Sequence, residues 1–116
     1  MRNQKNKLKM SSPTLRERER YVYFKIISDE KVLYSDLEAA IWNTLIDFYG
    51  EMGVSKMSMW FVKNTWDDRS QSGVIRCNHL SVPQTIAGMG LISRLGETRI
   101  VMKVEKVSGT IKGLEK

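Results

Sequence analysis

The sequence contains few of the residues on which catalytic, metal-binding and secreted proteins depend. Its 116 residues include one cysteine, one histidine and two prolines. Cys77 alone cannot form an internal disulfide, which indicates a reducing compartment. No apolar run approaches the ~20 residues of a membrane span, and the opening MRNQKNKLKM is basic and polar, unlike a secretory signal. We therefore expect a cytoplasmic protein without a membrane partner.

Residues for enzyme chemistry are equally sparse. Cys77 and His79 lie two residues apart, but no third group is apparent that would orient them as nucleophile and base. No Cys/His cluster has zinc spacing, and Gly88-Met89-Gly90 lacks the lysine that follows a phosphate-binding glycine loop. Asp67-Asp68 could hold magnesium, although a solvated acidic loop is the favoured interpretation. We predict no catalytic residue, no metal site and no cofactor bound by the protein itself.

Basic side chains exceed acidic ones, and the excess lies at the N-terminus. Lys and Arg total 19 against 13 Asp and Glu, for a net charge of +6 and a pI of about 9.6. Residues 1–25 hold the whole excess, with Glu17 and Glu19 as their only acids. Lysine and arginine release counterions from phosphates, so this segment suits a polyanion; a solubilising tail is the alternative. We expect a basic, disordered tail over residues 1–12 and a single domain over 13–116.

The first half of the domain has the pattern of a strand followed by an amphipathic helix. Tyr21–Ile27 is aromatic and β-branched, and alternate residues from Val22 to Ile26 share one face. Ser35-Asp36-Leu37-Glu38 has the pattern of a capping box and predicts a helix start. Gly50 and Gly53 predict its end. The apolar residues expected to line its buried side are Leu37, Ala40, Ile41, Leu45, Phe48 and Met52.

The second half has the pattern of two strands, a helix and a last strand. Strand character runs over Met57–Val62 and Gly73–His79, on either side of a polar loop. In the helix that follows, Gly88 and Gly90 indicate close packing against another element, and Arg99–Val107 is the last strand. The order βαββαβ predicts an α+β, ferredoxin-like (split βαβ) sandwich, with a four-stranded antiparallel sheet and two helices on one face.

The sheet face away from the helices is a predicted nucleic-acid surface. Aromatic and cationic side chains together can stack bases and hold phosphates, whereas contact with a protein is the alternative. The first helix carries acids and neither Lys nor Arg, so its solvent side should repel phosphate. The third strand, Gly73-Val74-Ile75-Arg76-Cys77, lacks the aromatic signature of the common RNA-binding sandwich. The residues expected on the open face are Tyr21, Tyr23, Lys25, Arg76, Arg99 and Lys103.

Three stretches resemble the archaeal ribonuclease P protein component 2 family, whose eukaryotic relatives are small subunits of ribonucleases P and MRP. They are Ser12-Pro13-Thr14-Leu15-Arg16-Glu17-Arg18-Glu19-Arg20-Tyr21, Gly73-Val74-Ile75-Arg76-Cys77 and Ser108-Gly109-Thr110-Ile111-Lys112. The resemblance runs from about Ser12 to Leu114 and leaves the basic tail outside. The matching motif residues are Pro13, Thr14, Leu15, Arg16, Arg20, Tyr21, Gly73, Arg76, Cys77, Ser108, Gly109, Thr110 and Ile111.

The resemblance implies the same ferredoxin-like sandwich and a role without an active site of its own. The family pairs with ribonuclease P protein component 3, acts with other ribonuclease P proteins, and supports the ribonuclease P RNA. The holoenzyme is an endoribonuclease that removes the 5′ leader of precursor tRNA by metal-assisted hydrolysis, and the RNA holds the Mg²⁺ and performs the chemistry. A homodimer within a heterotetramer is left open by the sequence.

Candidate RNA-binding residues come from the basic segment and the strands. Three arginines alternate with Glu17 and Glu19, so an extended chain would present them on one side; a solvated mixed-charge segment is the alternative. Trp60, Trp66 and the acidic helix are candidates for the surface that binds a partner protein. The candidate RNA-binding residues are Arg16, Arg18, Arg20, Lys25, Arg76, Lys103 and Lys112.

Two other functions fit a small sandwich. One is a regulatory domain of the same fold that binds a small metabolite between its helices and the sheet edge. The other is an enzyme of acylphosphatase type, which needs an anion-binding loop with an arginine after the first strand. Here that loop reads Ser28-Asp29-Glu30-Lys31, acidic and without arginine, which disfavours the enzyme.

Overall fold

The protein is described by a computed structural model over residues 18–115. The basic tail and the motif residues Pro13, Thr14, Leu15 and Arg16 lie outside the described residues. The helices and strands are β1 (Glu19–Ser28), α1 (Tyr34–Met57), β2 (Trp60–Asp67), β3 (Ser72–Asn78), α2 (Val82–Gly90), β4 (Arg94–Leu95) and β5 (Thr98–Ser108), with short 3-10 helices at His79–Ser81 and Lys112–Glu115.

The sheet has five strands in the order β2-β3-β1-β5-β4, with every pair antiparallel. The βαββαβ order of the long elements is confirmed, but the predicted count of four strands is wrong. The additional strand, β4, pairs through Arg94 with Arg99 and through Leu95 with Thr98. Two residues are too few for an alternating pattern, so the sequence offers no signal for this strand.

The core lies between one face of the sheet and the two helices. The alternation predicted for β1 is confirmed, because Val22, Phe24 and Ile26 are all buried while their neighbours Tyr23 and Lys25 are half-buried. Both helices pack on the same face, since α1 and α2 contribute to one buried cluster with residues from the strands. Fully buried members of this cluster with large side chains are Phe24, Leu37, Ile41, Leu45, Met57, Ile75 and Met89.

Helix α1 differs from its prediction at both ends. It begins at Tyr34 with Leu33 as the N-cap and without a side-chain capping bond, so the predicted capping box at Ser35 is wrong. Gly50 breaks the helix with a φ of 74° and a ψ of 166°, as its sequence position predicts, but helical structure resumes and continues to Met57.

The buried residues of α1 also differ from the predicted ones near the break at Gly50. Leu37, Ile41 and Leu45 are buried as predicted, whereas Phe48 and Met52 are 62% and 72% exposed. Both exposed residues flank Gly50, and buried positions resume beyond it in the second helical segment. The helical period is therefore lost where the backbone leaves the helical conformation.

Helices α1 and α2 approach each other at Gly88. A methyl group at position 88 would overlap the Leu45 side chain and lie 3.8 Å from Tyr49 Cε2. The Tyr49 hydroxyl also donates a hydrogen bond to the Gln84 carbonyl oxygen over 3.0 Å. Close packing at Gly88 is confirmed, but at Gly90 the prediction is wrong, since a methyl group there would meet nothing within 4 Å.

The β2–β3 hairpin is tighter than the predicted polar loop. β2 runs to Asp67, whose Oδ1 accepts backbone N–H bonds from Arg69 and Ser70 at 2.9 and 3.4 Å. These bonds hold the pKa of the Asp67 carboxyl below its usual value, because they stabilise the charged form. Strand pairing between Asp67 and Ser72 therefore closes a four-residue turn where the sequence indicated a longer connection.

Gln71, in this turn, connects the end of β1 to the start of α1. Its side chain is buried, and its Oε1 accepts the Val32 N–H at 2.7 Å. Its Nε2 donates to Ser28 Oγ at 3.0 Å and to the Ile26 carbonyl oxygen at 3.3 Å. One amide group thus satisfies three polar groups from two other segments.

Strand β5 contains an irregularity next to its pairing with β1. Tyr23 pairs with Lys106 and Phe24 with Val104, so Glu105 is the extra residue of a β-bulge. Before the bulge, Ile100, Met102 and Val104 face the helices as predicted. Within the described part of the chain, neither helix is long and apolar enough to cross a membrane.

Candidate nucleic-acid interface

The open face of the sheet carries a row of aromatic and cationic side chains across three strands. Trp60 on β2 pairs with Arg76 on β3, and Arg76 pairs with Tyr21 on β1. Cross-strand partners share a face of the sheet, and alternation places Tyr21 on the opposite face of β1 from Phe24, which belongs to the core cluster. Trp60, Arg76 and Tyr21 therefore form one row on the face away from the helices, which we call the open-face row.

Three lysines lie beside this row on the same face. Tyr23 pairs with Lys106, and Lys25 pairs with Lys103 across β1 and β5. Arg99 joins them by alternation, because Ile100 faces the core. The predicted placement of Tyr21, Tyr23, Lys25, Arg76, Arg99 and Lys103 on the open face is confirmed.

Trp60 is exposed, which the sequence left undecided. Its side chain is 61% exposed, whereas Tyr21 and Tyr23 are half-buried. Among residues 18–115, none of these three rings contacts another aromatic ring. Their flat faces are thus not engaged in the aromatic cluster of the core, which lies on the other side of the sheet.

Positive charge exceeds negative charge on the open face. The Arg76 Nε atom lies 3.5 Å from the Glu19 carboxylate, and Lys103 Nζ lies 3.6 Å from that of Glu105. Lys25 forms no ion pair with another described residue. The buried Arg76 Nε also lacks a hydrogen-bond partner within the described range. Such a surface attracts phosphate and repels a basic partner.

Arg18, Arg20 and Lys112 are outside this row, and Arg16 lies outside the described residues. Arg20 pairs with Cys77, whose side chain faces the helices, so Arg20 lies on the opposite side of β1 from Tyr21. Arg18 is exposed just before β1, and Lys112 is exposed in the C-terminal 3-10 helix. The structure thus places Lys25, Arg76 and Lys103 on one face of the sheet and Arg20 on the other.

Arg20 and Tyr21, at the end of the first motif stretch, lie beside the other two stretches on neighbouring strands. Arg20 pairs with Cys77 of β3, while Tyr21 pairs both with Arg76 of β3 and with Ser108 of β5. The Arg20 guanidinium also approaches Gly109, within 3.7 Å of the position that a methyl group would take. Residues distant in sequence therefore form one contiguous region around the start of β1.

Two motif glycines have different structural roles. A methyl group on Gly73 would lie 3.1 Å from the Trp66 ring and 3.4 Å from the Phe24 ring, so glycine permits this close approach. Gly109 has a negative φ and does not require glycine's conformational freedom. The turn after β5 is instead held by hydroxyls: Ser108 Oγ accepts the Thr110 N–H at 3.2 Å, and Thr110 Oγ1 accepts the Gly113 N–H at 3.0 Å.

Cys77 and His79 do not form a catalytic pair. Cys77 is fully buried, and burial raises the pKa of its thiol above the ordinary value, with a hydrogen bond to Thr85 opposing the shift. A protonated, buried thiol is a poor nucleophile. His79 is exposed in the 3-10 helix after β3, where its backbone N–H donates to the Arg18 carbonyl oxygen at 2.7 Å.

Trp66 belongs to the core side of the sheet. Its ring lies 5.1 Å from that of Tyr34 and 6.3 Å from that of Phe24, and its Nε1 donates to Asp68 Oδ1 at 3.2 Å. Burial, with a smaller contribution from the Glu38 carboxylate, raises the pKa of Tyr34 to about 12. Trp66 is thereby a packing residue, in contrast to exposed Trp60.

The acidic pair that follows Trp66 is engaged in the turn. Asp67 accepts backbone N–H bonds, and Asp68 lies 3.5 Å from Lys31 Nζ. Within residues 18–115, no three His, Cys, Asp or Glu side chains are grouped as metal ligands. These contacts assign both aspartates a structural role in the hairpin.

A two-layer α+β domain with an open, cationic and aromatic sheet face is the architecture of a nucleic-acid-binding module. The family model described as the Rpp14/Pop5 family matches residues 20–116. The chain belongs to the Rpp14/Pop5 family, which confirms the resemblance carried by the three motif stretches.

Similar proteins cover most of the chain. Ribonuclease P protein component 2 of Pyrococcus furiosus is 38% identical over 104 residues, which cover 90% of this chain and 85% of that protein. The component 2 proteins of Pyrococcus abyssi and Methanocaldococcus jannaschii are 34% and 33% identical, over 95% and 90% of this chain and 92% and 75% of theirs.

A solved structure supports the fold. A chain in the cryo-EM structure of yeast ribonuclease MRP superposes with a TM-score of 0.63, covering 85% of this chain and 79% of that one. At 18% sequence identity this similarity concerns the fold alone. The two-layer architecture is therefore shared with a chain of yeast ribonuclease MRP.

Proposed function

We propose that this chain is an RNA-associated protein subunit of ribonuclease P that acts in tRNA processing. The observation that carries the proposal is the family match over residues 20–116, together with relatives named ribonuclease P protein component 2 that align over most of both chains. The cationic open face adds a physical reason, because a subunit of a ribonucleoprotein must neutralise phosphate. We also class the fold as a ferredoxin-like sandwich with β4 added at one edge.

The protein supports catalysis by the RNA and does not perform it. In this proposal the ribonuclease P RNA holds Mg²⁺ and cleaves the 5′ leader of precursor tRNA. Folding of the RNA around its site is opposed by repulsion between its phosphates. Lys25, Arg76 and Lys103, fixed on a rigid sheet, offset that repulsion and lower the magnesium concentration needed. The buried thiol of Cys77 and the structural contacts of Asp67 support a protein without a nucleophile or metal site of its own.

We propose that protein partners bind the side of the molecule formed by the helices. The proposed partners are ribonuclease P protein component 3 and other ribonuclease P proteins, with a homodimer within a heterotetramer as the assembly and the cytoplasm as the compartment. Helix α1 supports this division, because exposed Phe48 and Met52 lie beside Asp47 and Glu51. Apolar and acidic side chains together suit a protein surface and repel RNA.

Reconstitution tests the proposal. The purified chain alone should cleave no precursor tRNA, and adding it to the RNA and the partner protein should lower the magnesium concentration needed for cleavage. Particles that are equally active with and without this chain at every magnesium concentration would contradict the proposed role. A metabolite-binding domain would instead bind its ligand independently of salt.

Charge-matched variants identify the responsible face. Lys25→Ala with Lys103→Ala should weaken RNA binding and reduce the steepness of its salt dependence, by about 0.9 in the logarithmic slope for each duplex phosphate that is no longer neutralised. Lys56→Ala with Lys63→Ala is the matched control, because exposed Lys56 lies in α1, exposed Lys63 pairs with Glu38 of α1, and the charge change is the same. Equal effects of the two pairs would indicate that total charge, and not the open face, governs binding.

A further inference from the structure

We propose that the open-face row of Trp60, Arg76 and Tyr21 binds unpaired nucleotides of RNA by stacking on their bases. The inference rests on the proposed function, which makes RNA the partner, and adds the part of the RNA that this face recognises. The row combines an exposed indole, a guanidinium and a phenol on one flat surface. Aromatic rings and guanidinium planes are the side chains on which splayed-out bases stack.

The spacing of the row favours two separate stacking positions. Neighbouring strands lie about 4.8 Å apart, so the Cα atoms of Trp60 and Tyr21, two strands apart, are separated by roughly 10 Å. Stacked bases repeat every ~3.4 Å, so these two rings are too far apart to sandwich a single base. Each ring therefore accepts its own base, and Arg76 lies between them.

Arg76, between the two rings, has an acidic neighbour on the same face of the sheet. Glu19 lies on the same face, and its carboxylate is 3.5 Å from the Arg76 Nε atom. That Nε atom is buried, while about a third of the whole side chain remains exposed. Glu19 thus lies beside the inner nitrogen of the guanidinium, which has no hydrogen-bond partner among the described residues, and the exposed part of the side chain is available to a nucleotide.

The adjoining lysines select a polyanion over a protein. Lys25, Lys103 and Lys106 share the face with the row, where Glu19 pairs with Arg76 and Glu105 pairs with Lys103. An exposed tryptophan is also common at protein interfaces, but the positive surplus matches phosphate. A nucleic-acid strand crossing the row would bring its phosphates toward these lysines.

The geometry selects unpaired over paired RNA. In a duplex the flat faces of the bases are already covered by their neighbours, so a side chain lying on a sheet cannot reach them. Unpaired segments expose these faces, and stacking on an aromatic side chain then contributes to binding with little dependence on sequence. Paired RNA can therefore contact this face only through its phosphates.

The test compares three probes with the full chain. They are a short oligouridylate, an abasic oligomer of the same length and charge, and a blunt RNA duplex, each followed by fluorescence anisotropy at fixed salt. Trp60→Ala should weaken oligouridylate binding roughly 5- to 150-fold, the range expected for loss of one stacked base. Binding of the abasic oligomer and the duplex should stay within about twofold of the original chain, because the charge is unchanged.

Two further variants separate stacking from folding. Trp60→Phe keeps an aromatic face and should retain most of the oligouridylate affinity. Phe48→Ala removes an equally exposed aromatic ring from α1 and should change no probe. Arg76→Lys keeps the charge but loses the planar group, so it should weaken oligouridylate more than duplex. Thermal melting of each variant by circular dichroism establishes that it is folded.

The outcomes distinguish this inference from the proposed function. If the chain restores ribonuclease P activity but Trp60→Ala binds oligouridylate as tightly as the original chain, stacking is refuted and the proposed function stands. Equal loss on the abasic oligomer would also refute stacking. If Trp60→Ala instead disrupts self-association or assembly with component 3 and leaves oligouridylate binding unchanged, a protein covers this face. A chain that binds no RNA and restores no activity would refute the proposed function itself.

Discussion

Gly88→Ala tests the closest contact between the two helices. Alanine gains about 1 kcal/mol over glycine in a helix interior, but its methyl group would overlap Leu45, which is fully buried and cannot swing into solvent. Overpacking a core typically costs about 1–3 kcal/mol. The variant should therefore lie between unchanged and about 2 kcal/mol less stable. Urea denaturation followed by circular dichroism measures the free energy of unfolding.

Gly90→Ala is the matched control for this substitution. It lies in the same helix, and a methyl group there meets nothing within 4 Å, so it should gain up to about 1 kcal/mol. Gly90 is the last residue of the helix, so its variant gains at most the helix preference; the Gly88 variant should be less stable than it by up to about 3 kcal/mol, and this gap reports the steric cost. In a Leu45→Ala background, Gly88→Ala should no longer carry that steric cost. Equal stability of the Gly88 and Gly90 variants would refute the close packing.

Three further perturbations test other parts of the molecule. Gln71→Ala leaves buried backbone groups without partners and should lower the free energy of unfolding by about 1–3 kcal/mol in urea denaturation. The pKa of Tyr34 is about 12 in the folded protein, compared with an ordinary value of 10.0. Because the unfolded chain loses the Tyr34 proton at lower pH, the free energy of unfolding should fall as pH rises from about 10 to 12. Tyr34→Phe should remove that part of the decline. Replacing Arg16, Arg18 and Arg20 by alanine should weaken RNA binding and flatten its salt dependence in anisotropy titrations.

Each of these perturbations has a matched comparison. Gln84→Ala, at an exposed position, should leave the free energy of unfolding nearly unchanged. An equally steep alkaline decline in the chain and in its Tyr34→Phe variant would contradict the assigned cause. Lysine at the three arginine positions keeps the charge, so it should keep the salt slope; a flattened slope with lysine would show that guanidinium geometry, and not charge, determines binding.

The sequence predicts the fold best where one face of an element is buried along its whole length. Alternation identified the buried side of β1 because Val22, Phe24 and Ile26 are all buried. The same method failed for Phe48 and Met52, because Gly50 breaks the helix between them and changes the direction of the chain. Periodicity describes a regular backbone and carries no information across such a break.

The sequence predicts which residues of β1 and β3 face away from the helices, but it does not predict where β2 begins. Lys25 and Arg76 were placed on the open face by alternation alone. Trp60 could not be assigned, because its orientation depends on β2 beginning at that residue, three positions later than the apolar pattern suggests. Alternation also separates Arg20 from the open face, because Arg20 lies two residues before buried Val22, and its pairing with buried Cys77 agrees.

The bulge at Glu105 has a consequence for how the protein avoids aggregation. Strand β4 covers the outer side of β5 at Thr98 and Arg99, and the described chain supplies no other strand along that side. An uncovered strand edge is a template on which a second molecule can add its own strand. The extra residue twists this edge, and Lys103 and Lys106 place positive charge beside it. Deleting Glu105 would remove the bulge and straighten the edge. Two copies of the chain would then pair more readily through their β5 edges.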